Sequence, residues 1–496
     1  MTISKLAAAL LLGAAALPAH AAITFTGFLT VPGNASDLSG LTPSGANTDR
    51  LSFGSDLVYD KASDTFYGMT DRGPGGGLES FQPRVEAFKV AFGANNAPVA
   101  FALQKTVLFT NAAGQALNGL NPLILNGNVS TLGNSFDSEG LVLMKNGHYL
   151  VADEYGPSIY EFDATGKQVR AFTTPANLIP KTAGGAVDYV NGRPTIQTGR
   201  QDNRGFEGLT LSNDGTKAYA IMQDPLVNEG LNPPSNTDAQ GRYSRNLRIV
   251  EFDVASGTQN AQYIYELESR TTINAGLTPT FSANQQGRSI GASSITMMPD
   301  GTMLVIERDN RGLGVDDPTG AVQIGTKKVF RIDLTGATDV KNISLAGTNT
   351  LPSGVTAVSK TLYIDVLAKL GMAGMFPVEK LEGLAFGPRT STGGIMMLIV
   401  TDNDFSVTQT GIFGNQTDVC TSGQGGVSSQ VAIDGTCPTG QSLIPSYIYA
   451  FELSGADAVA AGVPEPASWA MMIAGFGLVG GAMRRRVSRV TTSVAA

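Results

Sequence analysis

The stretch FDSEGLVLMKNGHYLVADEYGPSIYEFD, residues 136–163, decides the fold, because it contains one complete structural unit. An apolar run follows Glu139-Gly140, and Lys145-Asn146-Gly147 then supplies turn residues typical of a β-hairpin. A second apolar run ends in Asp153-Glu154, and a third run alternates apolar and polar residues as a half-buried strand does. The stretch therefore predicts three short antiparallel strands, with acidic residues beside two of them.

Four further copies of this unit repeat the same order of strand, turn, strand and acid. They begin at residues 53, 205, 291 and 380, with FGSDLVYDKASDTFYGMTDRGP, GFEGLTLSNDGTKAYAIMQDPL, GASSITMMPDGTMLVIERDNR and KLEGLAFGP. Repeated antiparallel units of three or four strands are typical of the blades of a β-propeller. The sequence therefore predicts an all-β propeller, with a β-sandwich as the alternative fold.

The spacing of the copies leaves the number of blades open. An ordinary blade takes roughly 40–50 residues, and successive copies here lie further apart, as marked by Glu139, Glu207, Ser293 and Glu382. Either the loops are enlarged or a divergent blade lies in an interval, at residues 187–196 or 355–367. We expect five or six blades, with strand 23–31 beside 447–453 closing the ring.

The start of the chain resembles an export signal. Lys5, the apolar run 6–17 and the small-residue site Ala19-His20-Ala21 follow one another as in a secretory signal peptide. We therefore expect a signal peptide at 1–21 and the propeller at 22–455.

The end of the chain has three parts in a fixed order. Val463-Pro464-Glu465-Pro466 precedes the uncharged run 467–483, which is followed by Arg484-Arg485-Arg486. The run is close to the length of a membrane span, and the arginines should stay cytoplasmic. This order resembles the PEP-CTERM sorting signal of Gram-negative bacteria, which implies handling by an exosortase near Pro464, Glu465 and Pro466. We expect a linker at 456–466 and a transmembrane helix with a basic tail at 467–496; a plain membrane anchor is the alternative.

Composition excludes one class of partner and indicates the redox environment. The formal net charge is -8 at pH 7, and phosphate-backbone binding needs a basic face, so nucleic acid is not an expected partner. The two cysteines, Cys420 and Cys437, lie in a stretch rich in Gly, Ser and Thr. In an oxidising compartment outside the cytoplasm, we expect them to form one disulfide that staples a loop.

The recurring acids predict a shared site. Equivalent residues of successive blades reach equivalent points around the central channel, so the Glu-Gly-Leu acids form one ring: Glu139, Glu207 and Glu382. The acids that close the second strands lie on the same side of the ring: Asp71, Asp153, Glu154, Asp224, Glu307, Asp402 and Asp404. So many carboxylates need balancing charge, from Arg72, Arg204 and Arg308 or from a divalent cation, most simply Ca²⁺. For any single acid, capping a turn is the alternative role, and the arginines can equally be simple ion-pair partners.

Other catalytic arrangements lack their residues. After the signal peptide the one histidine is His148, at a hairpin turn, and there is no Gly-x-Ser-x-Gly elbow. A phosphate-binding P-loop and a zinc ligand set are also missing from the sequence.

Residues 50–455 resemble the secreted phytase-like domain family described as having esterase-like activity. The motifs that carry the resemblance are the opening stretch, YGMTDRGP (67–74), NRGFEGLTLSNDG (203–215) and KLEGLAFGP. The resemblance implies a β-propeller and, by analogy with propeller phytases, hydrolysis of phosphate esters aided by Ca²⁺. It matches Glu139, Glu207 and Glu382 to the family's Glu-Gly-Leu acids, Asp71-Arg72 to its Asp-Arg pair, and Asp153-Glu154 to its second-strand acids. Ser55-Asp56 and Ser293-Ser294 depart from the pattern, because they lack the glutamate.

The hypothesis that follows is a surface-sorted hydrolase acting on a small-molecule ester or phosphoester. Glu207 would act as the base, and three arginines would stabilise developing charge: Arg72, Arg204 and Arg308. The expected metal ligands are Glu139, Glu382, Asp71, Asp153, Glu154, Asp224, Glu307 and Asp402. A propeller acting on lactones or carboxylic esters is one alternative, and a non-enzymatic propeller that binds a ligand linked to exopolysaccharide is another.

Overall fold

The computed structural model describes residues 22–41, 49–409, 415–455 and 457–458. The expected signal peptide, the motif at 464–466 and the C-terminal helix lie outside these ranges. Within them, no helix has both the length and the apolar character that a membrane crossing requires.

The first half of the chain forms strand β1 and two four-stranded antiparallel sheets, each with its strands paired in chain order. Strand β1 is Ala22–Val31. Blade 1 contains β2 (Asp56–Asp60), β3 (Thr65–Met69), β4 (Arg84–Phe92) and β5 (Pro98–Leu108). Blade 2 contains β6 (Ser138–Leu143), β7 (Tyr149–Asp153), β8 (Ser158–Phe162) and β9 (Gln168–Ala171). A small hairpin of β10 (Lys181–Thr182) and β11 (Ile196–Thr198) follows in the next loop.

The second half of the chain forms three more sheets of the same kind. Blade 3 contains β12 (Phe206–Leu211), β13 (Lys217–Met222), β14 (Asn246–Asp253) and β15 (Thr258–Glu266). Blade 4 contains β16 (Ile290–Met297), β17 (Met303–Asp309), β18 (Lys327–Asp333) and β19 (Ser359–Asp365).

Blade 5 is interrupted by an insertion and completed by the N-terminal strand. It begins with β20 (Lys380–Arg389) and β21 (Ile395–Asp402). The insertion forms a separate sheet of β22 (Val407–Gln409), β23 (Gln416–Thr421), β24 (Ser428–Ala432) and β25 (Ser442–Leu443). Strand β26 (Ser446–Ser454) returns to blade 5, and β1 pairs along its free edge, with Phe25 opposite Phe451. The expected closure of the ring by 23–31 is confirmed.

Among the residues that the structure describes, the named helices are short segments outside the blades. The α-helices are α1 (Pro122–Asn126), α2 (Arg270–Ile273) and α3 (Val366–Met372). The 3-10 turns are Ala94–Asn96, Gln240–Tyr243, Ala283–Gln285 and Asp404–Ser406.

The first strands of the blades, β2, β6, β12, β16 and β20, stand side by side, and β20 returns to β2. The described residues therefore form a five-bladed β-propeller, and the alternative of a β-sandwich is wrong. The two candidate sixth blades are also wrong: residues 187–196 lead into the hairpin of β10 and β11, and residues 355–367 contain β19 and the start of α3. The long intervals are enlarged loops.

The glycine of the Glu-Gly-Leu motif is required because neighbouring first strands approach closely. A Cβ atom on Gly208 of β12 would lie 2.7 Å from the backbone nitrogen of Ile295 on β16. A Cβ atom on Gly140 of β6 would lie 2.8 Å from the backbone nitrogen of Leu209 on β12. These distances leave no room for a methyl group, so glycine sets the tight radius of the ring.

Apolar side chains fill the wedges between blades. Between blades 4 and 5, for example, Leu304, Ile399 and Tyr449 belong to one fully buried cluster. Strands such as β7, β17 and β21 are buried at every position, because neighbouring blades pack on both of their faces, and the loops at the strand ends remain free to carry polar residues.

Candidate functional site at the mouth of the propeller

The Glu-Gly-Leu glutamates all occupy the same irregularity of the sheet. Pairing between the first and second strands shifts by one residue at Glu139, Glu207, Ser293 and Glu382. Such a bulge leaves one residue unpaired and turns its side chain out of the regular alternation. The three glutamates line one cavity at this end of the ring, which we call the mouth.

A second ring of side chains comes from the second strands. At the equivalent position near the end of each second strand, blades 1 to 5 carry, in order, Asp71, Glu154, Gln223, Arg308 and Asp402. Four of these residues line the mouth, and Asp402 lies behind Asp404, which does. The two rings together carry the charge of the site.

Asp153 and Glu307 stand one residue earlier on their strands, so they point to the opposite face of the blade. The Asp153 carboxylate accepts hydrogen bonds from the Ser158 hydroxyl at 2.8 Å and from three backbone N–H groups. The Glu307 carboxylate accepts from Tyr265 Oη at 2.8 Å and from Lys360 Nζ at 2.5 Å. Neither residue lines the mouth, so their expected place among the metal ligands is not supported; one orders a turn and the other ties strands together.

The mouth is a cavity of about 350 Å³ with an excess of acidic side chains. Eight carboxylates line it: Asp71, Glu139, Glu154, Glu207, Asp316, Glu379, Glu382 and Asp404. Four cationic side chains line it as well: Arg72, Arg204, Arg308 and Lys380. The site is therefore net negative when all groups are ionised.

Three trios of carboxylates each bring oxygen atoms within 4.8 Å of one another. The trios are Asp71, Asp402 and Asp404; Asp71, Asp137 and Glu139; and Glu139, Glu154 and Glu207. Because Asp71 and Glu139 are each shared, the trios form one continuous arc of acids. Spacing of this kind is what a hard divalent cation with several oxygen ligands requires.

The trios differ in how far the protein's own cations balance them. Lys380 Nζ lies 2.9 Å from Asp402 Oδ2 and 2.5 Å from Asp404 Oδ1, so an ammonium group already serves that trio. Arg72 Nη1 lies 3.3 Å from Asp137 Oδ2, and the backbone N–H of Arg72 donates to Asp137 Oδ1 at 3.0 Å.

The trio of Glu139, Glu154 and Glu207 is the least compensated. Glu154 Oε1 is 3.5 Å from Arg204 Nη1, and Glu207 Oε1 is 3.8 Å from Arg308 Nη2. Both of these are long ion-pair contacts, and within the described ranges Glu154 Oε1 and Glu207 Oε2 are buried without a hydrogen-bond partner. Burial, and next the charge of Glu207, hold the pKa of Glu139 well above its usual range. Burial and the charge of Glu154 do the same to the pKa of Glu207.

The three arginines are engaged with acids of the mouth. Arg308 Nη2 donates to Glu382 Oε1, and Arg204 Nε lies 3.0 Å from Asp224 Oδ2. Arg72 also donates to the side-chain oxygen of Asn203. Asp224 itself lies just beside the mouth, in a pocket of about 20 Å³ that it shares with Arg204, Arg288 and Arg308. That pocket is too small for a substrate, so Asp224 serves to hold Arg204.

Sequence reasoning missed several residues of the site, of which four bear on its charge and shape. Asp137 and Lys380 stand two residues before Glu139 and Glu382, and that repeated offset is a signal that could have identified them. Glu379 joins the same wall, and burial raises its pKa to about 7. The fourth is Asp56, which replaces the motif glycine in blade 1 and sits in the channel below the mouth.

Asp56 links three blades across the ring. Its Oδ2 accepts from the backbone N–H of Leu141 at 2.7 Å in blade 2, and its Oδ1 lies 3.4 Å from the Ser294 hydroxyl of blade 4. Burial holds the pKa of Asp56 well above its usual range. Asp56 therefore fills the channel that glycine leaves open in the other copies.

A five-bladed propeller with an acidic mouth defines the class of this protein, and comparison with known sequences defines its family. Residues 51–405 match the phytase-like family described as "esterase-like activity of phytase", and the chain belongs to that family. Residues 462–486 match the PEP-CTERM protein-sorting motif. The sequence-based assignment of both is confirmed, and the motif implies sorting of the exosortase type.

An uncharacterized secreted protein of Arthroderma benhamiae is 28% identical over 382 residues, which cover 64% of this chain and 69% of the relative. Together with the sorting motif, this relative supports export and sorting to the envelope.

Cys420 and Cys437 form a disulfide, with an S–S distance of 2.01 Å.

Similarity to solved structures is weak. Regucalcin, a calcium-binding protein from Agrobacterium tumefaciens strain C58, is 11% identical, with a TM-score of 0.29 over 89% of this chain and 99% of that chain. The PQQ-bound aldose sugar dehydrogenase of Streptomyces coelicolor is 10% identical, with a TM-score of 0.28 over 84% of each chain. Scores this low carry no information about the site.

Proposed function

We propose that this protein is an exported, envelope-sorted hydrolase of phosphate esters that works with Ca²⁺ at the propeller mouth. The observation that carries the proposal is the arc of carboxylates around Glu139, in a mouth where eight carboxylates face four cationic side chains. Membership of the phytase-like family supports an ester substrate. The expected boundaries are part of the proposal: signal peptide 1–21, propeller 22–455, linker 456–466 and membrane helix with basic tail 467–496.

The residues present fit a hard cation best at Glu139 and Glu154, and Glu207 stands beside them as a free carboxylate, with an oxygen within 4.8 Å of theirs. Within the described part of the chain, Glu154 Oε1 and Glu207 Oε2 are buried without a hydrogen-bond partner, while Gln223 Nε2 donates to Glu207 Oε1. Buried carboxylates left in this state are costly unless a cation or a proton neutralises them. Asp71, Asp137 and Glu382 lie close enough to add ligands or charge from the neighbouring trio and blade. When bound, Ca²⁺ would supply positive charge for a phosphate group and lower the pKa of a water molecule.

The protein's own side chains would do the remaining work. Glu207 Oε2 has no hydrogen-bond partner among the described residues and can accept a proton from a water molecule, while Gln223 holds the other oxygen. Arg308, 3.8 Å from Glu207, and Arg72 on the opposite wall would stabilise negative charge that develops on the phosphate oxygens. Arg204 would position Glu154.

The test uses the purified protein with aryl phosphate and aryl acetate, assayed with Ca²⁺ and after removal of metal by chelation. We expect phosphate release that is lost on chelation. Glu207→Gln should lower kcat by about 100-fold or more, and Glu139→Gln should weaken Ca²⁺ binding in calorimetry by about 10-fold or more. Glu79→Gln, at an exposed carboxylate outside the mouth, is the matched control and should change neither.

Three outcomes would overturn the proposal. Turnover of acetate alone would favour the alternative of a lactonase or carboxylesterase. Tight binding of a ligand without turnover would favour a surface binding propeller linked to exopolysaccharide. Unchanged Ca²⁺ affinity in Glu139→Gln would remove the metal from this trio.

A further inference from the structure

The insertion in blade 5 covers part of the mouth. We call its described residues, 403–409 and 415–445, the strap; it contains β22 to β25 and the disulfide between Cys420 and Cys437. The match to the family ends at residue 405, so all of the strap after its first three residues lies beyond it. Family membership therefore assigns the strap no role.

The strap is tied to the loops of both neighbouring blades. Gln416 Nε2 donates to the carbonyl oxygen of Pro74 in the blade 1 loop at 2.9 Å. The backbone N–H of Gly425 donates to the carbonyl oxygen of Thr319 in the blade 4 loop at 2.8 Å, and the Thr421 hydroxyl donates to that of Pro318. The strap thus spans the top of the ring from blade 1 to blade 4.

The blade 1 loop is shaped to receive the strap. Gly75 has φ +72°, and a Cβ atom there would lie 1.9 Å from Gln416 Nε2. A side chain at this position would therefore displace the glutamine amide, so the contact between strap and loop depends on glycine.

The strap leaves blade 5 through a left-handed turn that the surrounding structure holds firmly. Asp404, Phe405 and Ser406 have φ values of 46°, 54° and 57°, which non-glycine residues seldom adopt and almost never in succession. Phe405 is fully buried with its ring centroid 4.7 Å from that of Phe81, and Arg50 Nη1 donates to the Phe405 carbonyl oxygen at 2.9 Å. Strained backbone of this kind persists where its neighbours fix it, and here it aims Asp404 and β22 into the mouth.

Beyond Asp404, the part of the strap that reaches the mouth carries no charge. Val407, Thr408 and Gln409 line the cavity. The Gln409 Oε1 atom is buried and, in the ranges that the structure describes, accepts no hydrogen bond. An acceptor in that state requires a donor, and a hydroxyl group of a ligand would supply one.

We propose that Gln409 and the strap select the alcohol half of the ester, favouring a small hydroxyl-bearing group over a bulky apolar one. That the ligand is an ester rests on the proposed function, whereas its selection by the strap is a property of binding and needs no turnover. With Ca²⁺ bound, the carboxylates would hold the phosphate end, and the strap lines another part of the same cavity of only about 350 Å³. An apolar ring placed there would leave the buried Gln409 acceptor unpaired, which a site rejects strongly.

Calorimetry in the presence of Ca²⁺ tests this selection without turnover. The probes are glycerol 3-phosphate and 1-naphthyl phosphate, and the protein is the full chain. We expect the wild type to prefer glycerol 3-phosphate, and Gln409→Ala to reduce that preference by about 10-fold or more with unchanged Ca²⁺ affinity. Gln430→Ala, an exposed glutamine of the same strap, is the matched control. Equal preference in the wild type, or an unchanged preference in Gln409→Ala, would overturn the inference.

Hydrogen exchange tests whether the strap covers the mouth. Replacing both cysteines, Cys420→Ser with Cys437→Ser, should speed amide exchange in the strap and in the loops at 73–77 and 317–319, but not in blade 2. Unchanged exchange in both loops would overturn the inference. Selective binding with no hydrolysis of either ester would instead contradict the proposed function and leave the selection by the strap standing.

Discussion

At the scale of single residues, position within a strand decides which acids reach the mouth. Glu154 and Asp153 are neighbours in sequence, yet only Glu154 lines the cavity, because adjacent side chains of a strand point to opposite faces. Of the neighbours Glu307 and Arg308, likewise, only Arg308 lines the cavity. A sequence shows that such a pair exists at a strand end, but the member that faces the channel depends on the register, which the bulge at the glutamate shifts by one residue.

Asp56 makes the first residue-scale prediction. Asp56→Gly restores the glycine of the other copies but removes the acceptor for the Leu141 N–H and the Ser294 hydroxyl. We expect the free energy of unfolding to fall by at least about 2 kcal/mol in urea titration, since a buried unpaired donor costs about 1–3 kcal/mol.

Asp56→Asn is the matched control for that prediction. It keeps the shape of the side chain and one acceptor oxygen, which can serve the Leu141 N–H, while its amide NH2 replaces the oxygen that accepts from the Leu57 N–H. Its effect should be clearly smaller. Equal losses in both variants would show that charge, not hydrogen bonding across the channel, is what matters at this position.

At the scale of elements, the glycine after each glutamate fixes the approach of neighbouring first strands. Gly208→Ala would place a methyl group 2.7 Å from the Ile295 nitrogen and 2.9 Å from the Ser294 carbonyl carbon, which are backbone atoms that cannot move alone. We expect a loss of about 1–3 kcal/mol in the free energy of unfolding, measured by urea titration.

Gly371→Ala is the control for overpacking. Gly371 lies in α3, its φ is compatible with alanine, and a methyl group there would have no neighbouring atom of the described residues within 4 Å. The substitution should be neutral or stabilising by up to about 1 kcal/mol, because alanine favours a helix over glycine. A destabilisation equal to that of Gly208→Ala would show that the loss does not come from the contact between blades.

The elements also show what sequence could and could not predict. The repeat of Glu-Gly-Leu, turn and second strand predicts every first and second strand of the ring, because those segments are short and strictly patterned. The sequence patterns did not predict the strap, because residues 403–445 repeat no other part of the chain. The strands of the strap pair with one another and not with a blade. The prediction left the count open between five and six blades for a related reason: the length between copies does not distinguish a blade from a long loop.

At the scale of the whole molecule, the ring gathers acids that no local pattern balances. Burial raises the pKa of Asp137 to about 7, although Arg72 opposes the shift, and it raises the pKa of Glu379 to about 7. Carboxyl groups with raised pKa values bind more protons in the native state than in the unfolded state, whose carboxyls titrate near 4. Their favourable contribution to stability is therefore complete below about pH 4 and is lost as the pH rises through about 7.

This linkage predicts a strong stabilisation by metal at pH 7.5 and a weak one at pH 5. The metal-free protein should unfold at a lower temperature at pH 7.5 than at pH 5, because ionised carboxylates then repel one another in the mouth. Added Ca²⁺ should raise the midpoint strongly at pH 7.5, by about 2.7 kcal/mol of stability at a hundred times its Kd, and little at pH 5, where protons compete for the same oxygens. Thermal unfolding of the metal-free and Ca²⁺-loaded protein measures both effects, and Glu139→Gln should reduce them together, since its neutral amide removes the charge shared by two trios. A Ca²⁺ effect of equal size at both pH values would place the ion away from the titrating arc, and with it the chemistry proposed for the mouth.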